Sequence, residues 1–197
     1  LSDPNRALFM VLDGHGPQGD AVSEFAMRQI VVSLERSDAM LVGAPDEALK
    51  DAFIKTNAAL MATPIQYMTS GTTCAAIYFK DAHYWIAHVG DSRVVCAVQE
   101  GDKLLAIDAC HDHKPDNPDE QERIEAWGGF VSAAPEEGMS ARVWLNKECT
   151  MIGLAMARSI GDYAVKAVGV IPEPDVSEAD ITENHKFMIL ASDGVWE

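Results

Sequence analysis

Leu8-Phe9-Met10-Val11-Leu12-Asp13-Gly14 is an apolar run that ends on a carboxylate and a glycine. Phe187-Met188-Ile189-Leu190-Ala191-Ser192-Asp193-Gly194 repeats the pattern far down the chain. Each reads as a buried strand that delivers an aspartate to its tip, where the glycine turns the backbone away. Either Asp-Gly alone is an ordinary turn. Brought together, two such carboxylates repel unless a cation lies between them, and hard oxygen donors favour a divalent ion.

Working outward from Asp13, apolar residues at Val22, Phe25, Ala26, Ile30 and Leu34 follow helical spacing from Gln18 to about Arg36. Pro45 opens a second helix, with Leu49, Phe53, Thr56 and Leu60 on one face. Strands are expected over 72–79, 83–89, 93–98 and 104–108, with turns at Gly90-Asp91-Ser92 and Glu100-Gly101-Asp102, as an antiparallel meander. Asn117-Pro118-Asp119-Glu120 reads as an N-cap, a first-turn proline and a capping-box acid, opening a helix that stops at Gly128. Residues 154–160 read as a short helix ended by Gly161, and 186–191 as the strand that leads to Asp193. This order of elements fits an α+β fold with helices packed on sheets, not the strict alternation of a parallel-sheet fold.

The length of 197 residues suits one domain over 1–197 with a sizeable core, and 48% hydrophobic with 23% charged residues is ordinary globular composition. Entry into a core strand by about Ala7 points to a fragment of something longer. The net charge of −16 argues against nucleic acid or an anionic membrane as partner. No apolar run approaches the ~18 residues of a membrane helix, and no leader-like stretch opens the printed chain. Cys74, Cys96, Cys110 and Cys149 form no C-x-x-C pair, so reduced thiols in a cytoplasmic or nuclear protein are expected.

Gly14-His15-Gly16-Pro17-Gln18-Gly19 matches the dinucleotide pattern G-x-G-x-x-G, with Glu35 near the place of a ribose-binding acid. Three features count against it. Asp13 would face the pyrophosphate, Pro17 removes an N–H from the cradle, and no turn separates the helix from a second strand.

The residues support another reading. Val11-Leu12-Asp13-Gly14-His15-Gly16 resembles the D-G-H-G signature of the type 2C metal-dependent serine/threonine protein phosphatases. Ser70-Gly71-Thr72-Thr73, Ala87-His88-Val89-Gly90-Asp91-Ser92-Arg93 and Asp112-His113-Lys114-Pro115 follow in that family's order, with His88 where asparagine is usual. Leu154 to Asp162 resembles L-A-[VM]-x-R-[SA]-x-G-D, and Ile171 to Val176 and Ser192 to Trp196 complete seven collinear matches.

The resemblance implies a four-layer αββα sandwich, incomplete at both ends of this chain. It implies hydrolysis of phosphoserine and phosphothreonine in phosphoproteins by metal-activated water, with two Mg2+ or Mn2+ ions and a weaker third. By resemblance Asp13 bridges the two metals, the Gly14 carbonyl contacts one, Asp193 ligates the other and Asp91 joins Asp193 at the third. His15 corresponds to the family's candidate general acid, a role suited to a group that titrates near neutrality. Asp162 and the His111-x-His113 pair are expected to be structural, and a monomer is expected.

The match also departs from the family. The arginine that clamps phosphate and the acidic pair that lie before D-G-H-G have no counterpart, and Arg6 is too close to Asp13 to serve. The later D-N aspartate is absent, and Glu197 stands where an aspartate is usual. The chain as read holds about half the family's metal shell. The competing reading is a catalytically inactive domain of this fold that binds a partner, although such a domain has no chemical reason to keep Asp13, Gly14, His15 and Asp193.

Overall fold

The computed structural model describes residues 5–136 and 138–196. Strand β1 (Arg6–Val11) is followed by the two-residue β2 (Gly14–His15) and by helices α1 (Gly19–Glu35), α2 (Asp38–Val42) and α3 (Pro45–Leu60). Strands β3 (Gly71–Thr72), β4 (Cys74–Lys80), β5 (His83–Val89), β6 (Arg93–Glu100) and β7 (Lys103–Asp108) come next. Helix α4 (Pro118–Ala126), β8 (Phe130–Ser132), β9 (Arg142–Trp144), β10 (Ile160–Gly161) and α5 (Tyr163–Lys166) lead to β11 (Asp175–Asp180), β12 (His185–Ala191) and α6 (Asp193–Trp196).

Two antiparallel sheets stack face to face. One has the order β1-β4-β5-β11 and the other β12-β6-β7. Period-2 alternation on β4 and β5 explains the layering. Cys74, Ala76, Tyr78, Trp85, Ala87 and Val89 pack against Ala26, Ile30, Leu49 and Phe53 of α1 and α3. The alternate residues Ala75, Ile77, Tyr84 and Ile86 pack against Val94, Met188 and Leu190 of the second sheet. Both central strands are therefore buried on two faces, and their sequences are nearly unbroken apolar runs. A third core gathers Ile124, Val131, Val143, Leu154, Met156, Val165 and Val170 beside α4. Among the described residues, helices cover one outer face of the sandwich.

The meander is interrupted where a hairpin is expected. β5 pairs with β4 and β11, β6 with β7 and β12, and no ladder joins β5 to β6. Gly90-Asp91-Ser92 therefore carries the chain from one sheet to the other. Gly90 has φ +90°, and a β-carbon there would lie 2.6 Å from Thr73 Cγ2, so only glycine makes this crossing. The two aspartate-bearing strands are also less buried than their runs of apolar residues imply. β1 and β12 are edge strands, with Phe9 56% and Phe187 52% exposed.

Residues 154–160 are not a helix. Their backbone groups are committed elsewhere: Ala157 N–H donates to the His113 carbonyl (2.7 Å), Ser159 N–H to Ile171 (3.1 Å), and Ile160 pairs with Thr72 in β10–β3. Tertiary partners replace the i→i−4 bonds that apolar spacing alone suggests. The capping box is also unused. Asn117 occupies the N-cap position of α4, but its side-chain amide donates to the Asp112 carbonyl at 2.7 Å.

Glu120 instead turns inward and receives Arg123 (2.6 Å) and a fork of hydrogen bonds from Arg158 (2.6–3.1 Å). Burial opposes its ionisation, but the two guanidiniums hold its carboxyl down to about 2. A depressed carboxyl stabilises the fold above its unfolded pKa of about 4.5 and loses that contribution as pH falls towards 2. Between pH 4.5 and 2 the wild-type chain should lose on the order of 3 kcal/mol from this site. Glu120→Gln should flatten that part of the stability-versus-pH curve in urea titrations.

Candidate active site

Strand register brings the three aspartates to one end of the sandwich. Val11 lies opposite Ala75, so the next residues of the chain, Leu12 and Asp13, run on towards Cys74 and Thr73. Cys74 lies opposite Val89, which puts Gly90 and Asp91 at the same end. Ala191 lies opposite Arg93, so Ser192 and Asp193 continue past it alongside Ser92 and Asp91.

Thr73 pins these loops together. Its N–H donates to the Asp13 carbonyl (3.0 Å), its Oγ1 accepts from Asp13 N–H (3.0 Å), and Oγ1 meets Ser92 Oγ at 2.6 Å. The Asp193 end is held by Trp196, whose indole N–H donates to the Ala191 carbonyl (2.9 Å) and whose ring lies 5.8 Å from the Arg93 guanidinium. Arg93 in turn makes a two-pronged pair with Asp112 at 2.9 and 2.8 Å.

The electrostatics are those of crowded like charges. The Asp13 carboxyl is raised above its ordinary value, first by burial, then by a hydrogen bond to Asp193 and by the charges of Asp193 and Asp91. Burial also raises Asp91, with Lys114 acting against it through an ion pair of 3.0 Å. Among the described residues no three His, Cys, Asp or Glu side chains are gathered closely enough to hold an ion. Asp91 leans instead on the Lys114 ammonium. The donor set is oxygen throughout, which suits a hard divalent cation.

His15 lies against the same cluster. Its Nε2 meets Asp162 Oδ2 at 2.7 Å, while Nδ1 is buried and finds no partner among the described residues. Burial pushes its pKa down, but the Asp162 hydrogen bond and the charges of Asp162, Asp91 and Asp13 together raise it above the ordinary histidine value. The structure thus brings Asp13, His15, Asp91 and Asp193 together and adds three residues that sequence reading missed. Thr73, Ser92 and Lys114 lie inside quoted motifs but carry no chemistry of their own to flag them. Asp162 was expected to be structural.

The decoy glycines serve chain packing. A β-carbon at Gly14 would lie 2.2 Å from the Gly19 carbonyl, and one at Gly16 2.2 Å from that of Thr69. The antiparallel sheets leave no place for a doubly wound nucleotide fold. His111-x-His113 does not converge as a metal site. His113 stacks on His88 with ring centroids 4.3 Å apart and bonds Gly90 N–H and Asp175, while His88 bonds the His111 carbonyl. Arg6 starts β1, about 20 Å of extended strand from Asp13, and cannot reach a phosphate there. Glu197 lies outside the described residues.

Comparison with known proteins places the chain. Its whole length, residues 1–197, matches the family model for protein phosphatase 2C. It is 35% identical to probable protein phosphatase 2C 35 of Arabidopsis thaliana over 99% of this chain and 61% of that protein. It is 34% identical to protein phosphatase 2C homolog 2 of Aspergillus fumigatus over all of this chain and 44% of that protein. The crystal structure of a serine-threonine phosphatase 2C from Toxoplasma gondii superposes with a TM-score of 0.82 at 25% identity, covering 99% of this chain and 70% of that one. The chain belongs to the protein phosphatase 2C family. It spans about half the length of the curated relatives it matches.

Replacing one of the crowded carboxylates should make its cost visible. Without divalent cations, Asp13→Asn should melt a few degrees higher than wild type, because a desolvated like charge is removed. Mn2+ should raise the melting temperature of wild type but not of Asp13→Asn, which differential scanning calorimetry would read directly.

Proposed function

We propose that this chain is the catalytic part of a metal-dependent protein serine/threonine phosphatase whose substrates are phosphoproteins. The observation that carries the reading is the meeting of Asp13 and Asp193, side chain to side chain, at the end of the sandwich where His15 lies. Asp13, the Gly14 carbonyl and Asp193 would hold two Mg2+ or Mn2+ ions, with Asp91 at a weaker third position. Bound there, such a pair activates water for attack on phosphorus and neutralises the phosphoryl oxygens.

The chain's own residues supply the remainder. The Thr73 and Ser92 hydroxyls fix the two loops, so the carboxylates need not reorganise during reaction. Lys114 places a positive charge beside Asp91 in a protein of net charge −16, where an anionic substrate needs local attraction. His15, kept above the ordinary histidine pKa, holds a proton near neutrality for the serine or threonine oxygen that departs. The four cysteines are unpaired, which supports a reducing compartment, cytoplasm or nucleus.

The natural full-length protein should release phosphate from p-nitrophenyl phosphate in Mn2+ and stop when EDTA is added. Asp13→Asn and Asp193→Asn should each lower kcat on the order of 10³-fold, the several kcal/mol that metal stabilisation supplies, while circular dichroism stays unchanged. Turnover indifferent to EDTA would overturn the metal mechanism. A folded protein with no turnover would favour the inactive binding domain.

A further inference from the structure

We infer that Asp162, braced by Ser159 and Lys166, is a positioning residue for His15 and fixes the orientation and tautomer of the imidazole that protonates the leaving group. This deepens the phosphatase reading and rests on it.

His15, Asp162 and Ser159 form a polar chain that no packing need explains. Asp162 Oδ2 accepts from His15 Nε2 at 2.7 Å and from Ser159 Oγ at 2.6 Å. Behind Ser159 lies Lys166, whose ammonium donates to the Ser159 carbonyl (2.7 Å) and to Ser159 Oγ (3.2 Å). Asp162 and Ser159 are 4% and 0% exposed. Lys166 behind them is half-buried, and such a line of polar side chains, two of them ionisable, costs desolvation that only its hydrogen bonds offset.

The backbone is bent to make the contact. Asp162 sits in the left-handed region at φ 51°, an uncommon place for a residue with a side chain. Its N–H donates to the Ser70 carbonyl (2.9 Å), and the next two N–H groups donate to Tyr67 (3.2 Å) and Met68 (3.0 Å). The start of α5 is thereby docked on the loop before β3, with Asp162 aimed at His15. Gly71 keeps the path open, since a β-carbon there would lie 2.0 Å from Asp162 Oδ2 and 2.7 Å from His15 Nε2. Strain, docking and a glycine all serve one hydrogen bond 147 positions apart in sequence.

That bond decides which nitrogen works. An ionised carboxylate only accepts, so the neutral ring keeps its proton on Nε2 and leaves Nδ1 for exchange. In the protonated ring both nitrogens carry hydrogen. On cleavage of the P–O bond the departing oxygen takes the Nδ1 proton: that N–H breaks, an O–H forms, and the ring returns to neutral with Nε2–H still on Asp162. Nδ1 is buried and without a partner among the described residues, an unsatisfied polar atom that the departing oxygen would satisfy.

The test uses leaving groups. A serine or threonine oxygen needs a proton as it departs, and p-nitrophenolate does not. In the Mn2+-loaded, natural full-length protein, Asp162→Asn should lower kcat on a phosphothreonine peptide by about 100-fold, at least about tenfold more than on p-nitrophenyl phosphate. Gly71→Ala, which forces the pair apart without removing either member, and Lys166→Met should show the same split. The Asp162→Asn, His15→Gln double variant should be no slower on the peptide than His15→Gln alone.

A second readout needs no metal. At a pH high enough to leave the ring neutral, ring 15N shifts of metal-free protein should give His15 as the Nε2–H tautomer, and Asp162→Asn should admit the Nδ1–H form. Equal losses on both substrates, multiplicative losses in the double variant, or an Nδ1–H tautomer in wild type would each overturn the inference while leaving the phosphatase reading intact. A wild-type protein inert to both substrates would overturn the reading itself, and this inference with it.

Discussion

Thr73 is the point on which the site depends. One backbone N–H and one hydroxyl hold Asp13 from both sides, and the same hydroxyl reaches Ser92 at 2.6 Å in the other sheet's loop. The sandwich needs such a tie because its two sheets share no ladder at this end. Without it, the mutual repulsion of Asp13, Asp91 and Asp193 would be relieved by the loops moving apart. With it, the repulsion stays in the fold as raised carboxyl pKa values and as an ion pair between Asp91 and Lys114. A cation at the proposed site would relieve that repulsion.

A second charge network lies beside the Gly90 crossing. The Glu120, Arg123, Arg158 and Asp175 network joins α4, the irregular 154–160 segment and the start of β11 through short charge-assisted bonds. His113 bonds Asp175 and stacks on His88, so the same network reaches the Gly90 crossing. This gives the family departure at His88 a local reason. A histidine there adds an aromatic face for His113, and burial, then the neighbouring His113, holds it down to about 4, so it is neutral near pH 7.

Sequence made the ends of this site legible and hid its middle. Asp13 and Asp193 could be read because a carboxylate after an apolar run is conspicuous, and both helices α1 and α3 because their apolar spacing is long and regular. The sheet crossing at Gly90-Asp91-Ser92 could not be read, since a turn between two antiparallel-looking strands is the same in sequence whether or not the strands pair. The false helix at 154–160 has the same origin. Its apolar residues do enter a core, but its backbone bonds go to His113 and Ile171, and such long-range partners leave no local periodicity. The capping-box pattern misled because Glu120 gains more from two buried guanidiniums than from a helix end.

The residues that remained hidden have a property in common. Thr73, Ser92, Ser159 and Lys166 touch no solvent-facing chemistry, and each acts by holding another side chain or loop in place. Such residues are ordinary in composition, so only contact reveals them. Gly71 is the nearest thing to a signal, because a glycine at the head of a β-rich segment raises the question of what approaches its α-carbon. In this fold the answer is the Asp162 carboxylate and the His15 ring, with a missing methyl group standing between a hydrogen bond and a clash. The specificity of the site therefore resides as much in an absent side chain as in the aspartates that first draw attention to it.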